Sequence, residues 1–160
     1  MTASQVDITQ VRAPTDTASV RELFREYAAA IGVDLEYQGF SAELAALPGQ
    51  YAPPAGELLL ARVNGEIAGC VALRALDPSA LEMKRLYVRA SARGSGLGTR
   101  LVEAAITVAR QGAYRELRLD TLASMAAAQA LYRTLGFAEI APYGRDFLPG
   151  TRFYALRLGG

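Results

Sequence analysis

The chain has 160 residues, 51% of them hydrophobic and 21% charged, with a formal net charge of +1. This balance suits one globular domain over residues 1–160, expected in the cytoplasm. It excludes bulk-electrostatic nucleic-acid or membrane binding, and no apolar run approaches a membrane span of ~20 residues or forms a signal peptide around Asp7. Histidine is absent and Cys70 is the single cysteine, which removes Ser-His-Asp and Cys-His catalysis, histidine-dependent zinc sites and an internal disulfide.

In chain order, Val6 to Arg12 alternates as a strand should. Thr15 or Asp16 then caps a helix whose apolar face is Val20, Leu23, Phe24, Tyr27 and Ile31, with Gly32 as its stop. A mixed stretch follows, with a short helix around Ser41 to Ala46 and a loop rich in Pro48, Gly49, Pro53, Pro54 and Gly56. Glu57 to Val63 and Glu66 to Leu76 read as strands joined by a hairpin at Asn64-Gly65, and Leu81 to Arg89 as another strand. Leu97, Leu101, Ala104, Ala105 and Val108 mark a helix ending near Gly112. Arg115 to Thr121 sets Leu117, Leu119 and Thr121 against Glu116, Arg118 and Asp120, the pattern of a half-buried strand. Ser124 is placed to cap a last helix carrying Ala128, Leu131 and Leu135, closed by Gly136. Ala138 to Ile140 and Arg152 to Leu158 supply two final strands, separated by a loop containing Pro142, Gly144, Pro149 and Gly150. The class is α/β with a mixed sheet.

The stretch Arg93-Gly94-Ser95-Gly96-Leu97-Gly98-Thr99-Arg100 lies between a strand and a helix start, a position where glycines and the helix N-terminus can cradle a pyrophosphate. A P-loop would need Gly-Lys-Ser/Thr at its end, whereas Gly98 is followed by Thr99 and Arg100, and the only lysine is Lys84. A dinucleotide fingerprint would need a third glycine at position 99, which is threonine. Arg93-x-x-Gly96-x-Gly98 remains, open to two readings: an anion cradle, or a tight strand-to-helix connection.

A second motif lies downstream, Ala128-x-x-Leu131-Tyr132-x-x-x-Gly136-Phe137. With the glycine loop it makes the chain, most strongly from Glu82 to Phe137, resemble the GNAT superfamily of N-acetyltransferases. The resemblance implies a mixed central sheet of about six to seven strands flanked by helices, with splayed central strands. It also implies acetyl-CoA as co-substrate, no metal, and acyl transfer to a small-molecule amine rather than to a nucleic acid or membrane partner. A homodimer through the last strands is compatible with it. By resemblance, the backbone of Leu86, Tyr87 and Val88 meets the pantetheine arm, while Arg93, Gly94, Ser95, Gly96, Leu97, Gly98, Thr99 and Arg100 wrap the pyrophosphate. Many relatives have an asparagine where this chain has Met125, and Ser124 is the nearby substitute.

An alkyl ammonium with a pKa near 10 is about one part in a thousand neutral at pH 7, which costs ~4 kcal/mol and calls for a base. The resemblance gives that role to Glu82, whose other reading is an ion pair with Lys84 on the same strand face. It gives the general acid for the departing thiolate to Tyr132, whose other reading is core packing. Cys70, in a small-residue strand without a basic partner, reads as a structural thiol. Acceptor specificity is expected in Phe24 to Tyr51 and Tyr143 to Phe153, where Asp34, Glu36, Tyr37 and Tyr51 face Tyr143, Arg145, Asp146 and Arg152 in the two segments. Three functions fit this pattern: a small-molecule N-acetyltransferase, with amino acids among the acceptors; a peptide or protein N-acetyltransferase; and a noncatalytic acyl-CoA-binding regulatory module. Glu82 together with Tyr132 favours catalysis.

Overall fold

The structure, a computed structural model, describes residues 4–144 and 147–159. Seven strands form one open mixed sheet: β1 (Val6–Gln10), β2 (Glu57–Val63), β3 (Glu66–Asp77), β4 (Ala80–Val88), β5 (Glu116–Thr121), β6 (Ala138–Ile140) and β7 (Arg152–Arg157). Their spatial order is β1-β2-β3-β4-β5-β7-β6, and only β4 and β5 run parallel. The helices are α1 (Pro14–Ile31), α2 (Phe40–Ala46), α3 (Leu97–Gln111) and α4 (Ala126–Thr134). The single parallel pair needs a crossover, and α3 supplies it between β4 and β5.

Alternation along the strands divides the apolar residues between two faces. Leu59, Val71, Leu81, Met83, Leu117 and Leu119 pack under α3 and α4, whereas Leu58, Leu60, Cys70 and Ala72 pack with α1 and α2. The Asn64-Gly65 turn has positive φ at both positions, 51° and 83°, which suits the right-handed twist of the β2–β3 hairpin as its sequence predicts.

Several element ends differ from the sequence reading. The first strand stops at Gln10, and the Arg12 side chain instead pairs with Glu57 at 2.7 Å. Helix α1 is capped by neither Thr15 nor Asp16: Ala13 is its N-cap, Pro14 starts it with a preset φ, and Asp16 reaches Arg62 at 2.7 Å. Ser124 does not cap α4, whose N-cap is Met125 without a side-chain bond. β3 runs one residue further than the periodicity shows and β4 starts one residue earlier, because Asp77 accepts from the Ser79 and Ala80 amides and closes a turn the sequence reading missed; β4 also ends one residue earlier. Two short 3-10 turns, Leu35–Gln38 and Gly49–Tyr51, flank α2.

One irregularity places the site. Between the pairs Cys70↔Tyr87 and Ala72↔Lys84, β4 carries an extra residue, and Arg85 there has φ of 62°. This bulge is held by a buried two-point ion pair, Arg85 Nε and Nη2 to Glu43 at 2.9 and 3.0 Å, and by Arg85 Nη1 to Gln38 at 2.8 Å. The guanidinium also lies over the Phe40 ring, 5.2 Å from its centroid, so the segment carrying α2 is tied directly to β4.

Candidate active site

The parallel pairing of β4 with β5 covers only Ala80–Glu82 against Glu116–Arg118. Beyond Glu82 the two strands splay, and the β5-facing edge of Met83–Val88 has no strand paired to it. Three neighbouring spaces, the middle one sharing wall residues with each of the others, lie at this opening.

On one side is a groove of about 730 Å³, lined by Leu86, Tyr87, Val88, Arg93, Gly98 and Ser124, with Ala126 to Ala128 and Leu131 from α4. Its end is the loop before α3. Gly94 and Gly96 have φ of 81° and 80°, and a Cβ on either would point into open space. Gly96 is the N-cap of α3 with no side-chain cap, so the first N–H groups of a helix of 15 residues are left to an outside acceptor. Arg93, exposed, donates from Nε to the Val88 carbonyl at 3.1 Å, which keeps its guanidinium beside the loop. A free strand edge, an uncapped helix start and open space over two glycines fit a pantetheine arm ending in a pyrophosphate.

The second space is a narrow passage of about 40 Å³, where Met83, Leu86, Met125 and Tyr132 meet Lys84, Asp120 and Thr121. Tyr132 is 5% exposed, with its ring against Phe137 and Tyr154 at centroid distances of 5.7 and 6.3 Å. Tyr132 thus packs in the core, as one of its two sequence readings has it, and also lines the passage. Burial pushes its pKa above the ordinary tyrosine value, so the phenol is protonated at neutral pH and available as a donor. The Thr121 hydroxyl is buried without a hydrogen-bond partner among the described residues.

The third space is a polar cleft of about 420 Å³ on the far side of the passage. Glu82, 2% exposed, has both oxygens engaged: Oε1 accepts from Arg74 Nε at 2.6 Å and Oε2 from the Tyr143 hydroxyl at 2.9 Å. Lys84 Nζ stands 4.0 Å from the same Oε1, so the main partner of Glu82 is the cross-strand arginine rather than its neighbour along β4. Asp120 lines both this cleft and the passage. Burial pushes its carboxyl above the ordinary aspartate value, with Glu82 adding to the rise and Lys84, Arg85 and Arg74 opposing it. Lys84 is lowered, again first by burial, with Glu82 and Asp120 opposing and Arg85 and Arg74 adding. Tyr143 and Phe147 stack edge-on against Phe153 and wall the cleft.

Leu86, Tyr87, Val88, Arg93, Gly98 and Ser124 thus come together at the groove; Gly94, Ser95 and Gly96 form the adjoining loop, Thr99 and Arg100 lie in the first turn of α3, and Leu97 is buried in the core. Of the expected acceptor residues, Tyr37 and Tyr143 line the cleft. Asp34 and Glu36 serve local turns, accepting from the Glu36 and Ser41 amides, Tyr51 is buried under α1, and Arg152 pairs with Glu139. Arg145 and Asp146 lie outside the described residues. Cys70 is fully buried, its thiol pKa pushed up by that burial, as a structural role requires. The sequence reading missed Arg74, Lys84 and Asp120. The available signal was charge on β4 and β5, since a parallel pair covered on both faces is normally apolar. Among the described residues no group of His, Cys, Asp and Glu is arranged to hold a metal ion, and no helix is long and apolar enough to cross a membrane.

Residues 18–137 match the family model described as the acetyltransferase (GNAT) family. An uncharacterized N-acetyltransferase of Schizosaccharomyces pombe is 36% identical over 160 residues, covering 99% of this chain and 98% of that protein. Among solved structures, an acetyltransferase of the GNAT family from Staphylococcus aureus Mu50 superposes with a TM-score of 0.81 at 22% identity, covering 97% of this chain and 100% of that chain. The Salmonella typhimurium protein yncA, solved with its cofactor acetyl-CoA, gives a TM-score of 0.67 at 23% identity over 96% of this chain and 94% of that chain.

Proposed function

The chain belongs to the GNAT family of acetyltransferases, and we propose that it works as one catalytic domain, moving an acetyl group from acetyl-CoA to the primary amine of a small molecule by direct attack in a ternary complex. The observation that carries this reading is the succession of groove, passage and cleft across the β4–β5 splay, with a phenol in the passage and a carboxylate at its far mouth. Bound acetyl-CoA supplies a thioester, an activated acyl group for an incoming amine. The chain's own residues do the rest.

The Arg93–Arg100 loop and the α3 N-terminus hold the pyrophosphate with main-chain N–H groups, and the free edge of Leu86 to Val88 aligns the pantetheine and offers N–H donors to the thioester carbonyl. Tyr132 gives its hydroxyl proton to the departing sulfur. Of the two carboxylates in the cleft, Glu82 is engaged by Arg74 and Tyr143, which suits it to positioning them. Asp120, at the junction of cleft and passage and with a raised pKa, is the better base for the ammonium proton. Alignment of amine and acyl carbon by the splay can contribute roughly 7–11 kcal/mol, more than either proton transfer, so single substitutions leave residual rate. A cleft of about 420 Å³ matches a small amine.

The test is acetyl-CoA-dependent thiol release across amino acids, polyamines, aminosugars, aromatic amines and short peptides. Saturable turnover with one class of small amine is the expected result. Turnover confined to peptides would move the acceptor to a protein terminus, and acetyl-CoA binding with no turnover on any amine would favour a noncatalytic sensor.

A further inference from the structure

Groove apart, the described residues of the site include six charged side chains: Glu43, Arg74, Glu82, Lys84, Arg85 and Asp120. Four of them cancel inside the protein, Arg85 against Glu43 at 2.9 Å and Arg74 against Glu82 at 2.6 Å. Lys84 and Asp120 are left. The Lys84 side chain is only 8% exposed, and the carboxylate nearest to it among the described residues, Glu82 at 4.0 Å, is already bound by Arg74. Lys84 and Asp120 sense each other's charge but make no ion-pair contact among the described residues. Their placement follows from the sheet. Continuing the parallel register from Glu82↔Arg118 by two residues sets Lys84 opposite Asp120, on the cleft face and just past the point where the strands separate.

A buried cation whose one carboxylate contact is long and shared with Arg74, and a carboxylate without an ion-pair contact among the described residues, are each costly until something meets them, and one small molecule of opposite pattern meets both. We infer that the acceptor is a free α-amino acid, held as its zwitterion with the carboxylate on Lys84 and the ammonium on Asp120. This assignment rests on the acyl-transfer reading above. Both charges of an α-amino acid sit on one carbon, which suits two side chains facing each other across one rung of the splay. Tyr37, Leu76, Tyr143 and Phe147 complete the cleft and leave an apolar, largely aromatic surface for the amino acid's own side chain.

The step balances. The ammonium passes one proton to Asp120, the freed amine forms a C–N bond to the acetyl carbon as the C–S bond breaks, the Tyr132 hydroxyl gives its proton to the sulfur, and the nitrogen sheds a second proton as the amide forms, which by way of solvent restores Tyr132. Asp120 then releases its proton, so one proton leaves per amide formed when the acceptor enters as an ammonium ion.

The experiment pairs each of the standard α-amino acids with the amine that lacks only its carboxylate, for example phenylalanine with phenethylamine, and with its methyl ester. Turnover is read by CoA release and binding by calorimetry on the CoA-bound protein. The expected result is at least one amino acid that binds and is acetylated with kcat/KM at least about 100-fold above its decarboxylated and esterified partners. Lys84→Met should narrow that ratio to below about 10-fold. Equal use of amino acid and decarboxylated amine by the unaltered protein overturns the inference and leaves acyl transfer standing. Saturable, carboxylate-dependent binding without turnover supports the pocket and overturns the acyl-transfer reading. Absence of both binding and turnover overturns the inference, and the wider panel of amines and peptides above then decides the acyl-transfer reading separately.

Discussion

The groove and the polar cleft, to which the proposed function assigns cofactor and acceptor, lie about one splayed strand pair and are built in opposite ways. The groove sets Leu86 to Val88, Arg93 and Gly98 against small and apolar residues of α1 and of Ser124 to Leu131, and what its β4–α3 wall offers is main chain: a free strand edge and an uncapped helix start. The cleft draws Tyr37, Glu43, Arg74, Lys84, Asp120 and Phe147 from separate elements, and what it offers is side-chain charge and aromatic surface. A feature every donor shares is met by backbone that any sequence of suitable conformation provides. A feature that distinguishes one acceptor from another is met by side chains, which can be exchanged without disturbing the other half.

That contrast can be broken in four places. Asp120→Asn should lower kcat/KM by about 10²- to 10⁴-fold while the acetyl-CoA Kd changes less than twofold; an equal loss of cofactor affinity would mean the two halves are one unit. The same variant checks the pH dependence. Asp120 must be ionised to act, and burial raises its carboxyl, so kcat/KM of the unaltered protein should rise with pH along a limb lying above the ordinary aspartate range near ~4. Asp120→Asn should remove that limb. Arg85→Met strands Glu43, its buried partner, and should cost about 3–5 kcal/mol in denaturant unfolding; a loss below about 1 kcal/mol would show that α2 is not hung on the bulge. Tyr132→Phe, at the seam between the halves, should reduce kcat about 10²-fold in single-turnover measurements with acetyl-CoA still bound. Gly96→Val forces a side chain into positive φ at the cradle and should weaken acetyl-CoA about 10-fold by calorimetry, leaving KM for the acceptor within twofold.

The same contrast explains how far the site could be read from residues alone. Arg93-x-x-Gly96-x-Gly98 announces the groove because a backbone conformation leaves its mark in neighbouring glycines, and the strand before it and helix after it follow from periodicity. Asp120 left no such mark. It alternates with Leu119 and Thr121 as any solvated residue of a half-buried strand does, and period-2 patterning does not separate bulk water from a cleft between diverging strands. Glu82 was legible as a polar residue on β4, but its partners were not, since Arg74 comes from the neighbouring strand and Tyr143 from a loop 61 residues on. The bulge at Arg85 was hidden for a related reason: a non-glycine residue with positive φ carries no compositional signature, and its cause, Glu43, lies 42 residues away.

The passage between the two halves has a consequence for what can travel through it. At about 40 Å³ it is the smallest of the three spaces, and Met83, Leu86, Met125 and Tyr132 are among its walls. On the proposed reading, an acetyl group seated there would displace solvent from beside the thioester, and a longer acyl chain would have to push aside packed side chains. Each methylene added to the donor would then cost about 1–3 kcal/mol, so relative rates with acetyl-, propionyl- and butyryl-CoA would measure how tightly the passage is built.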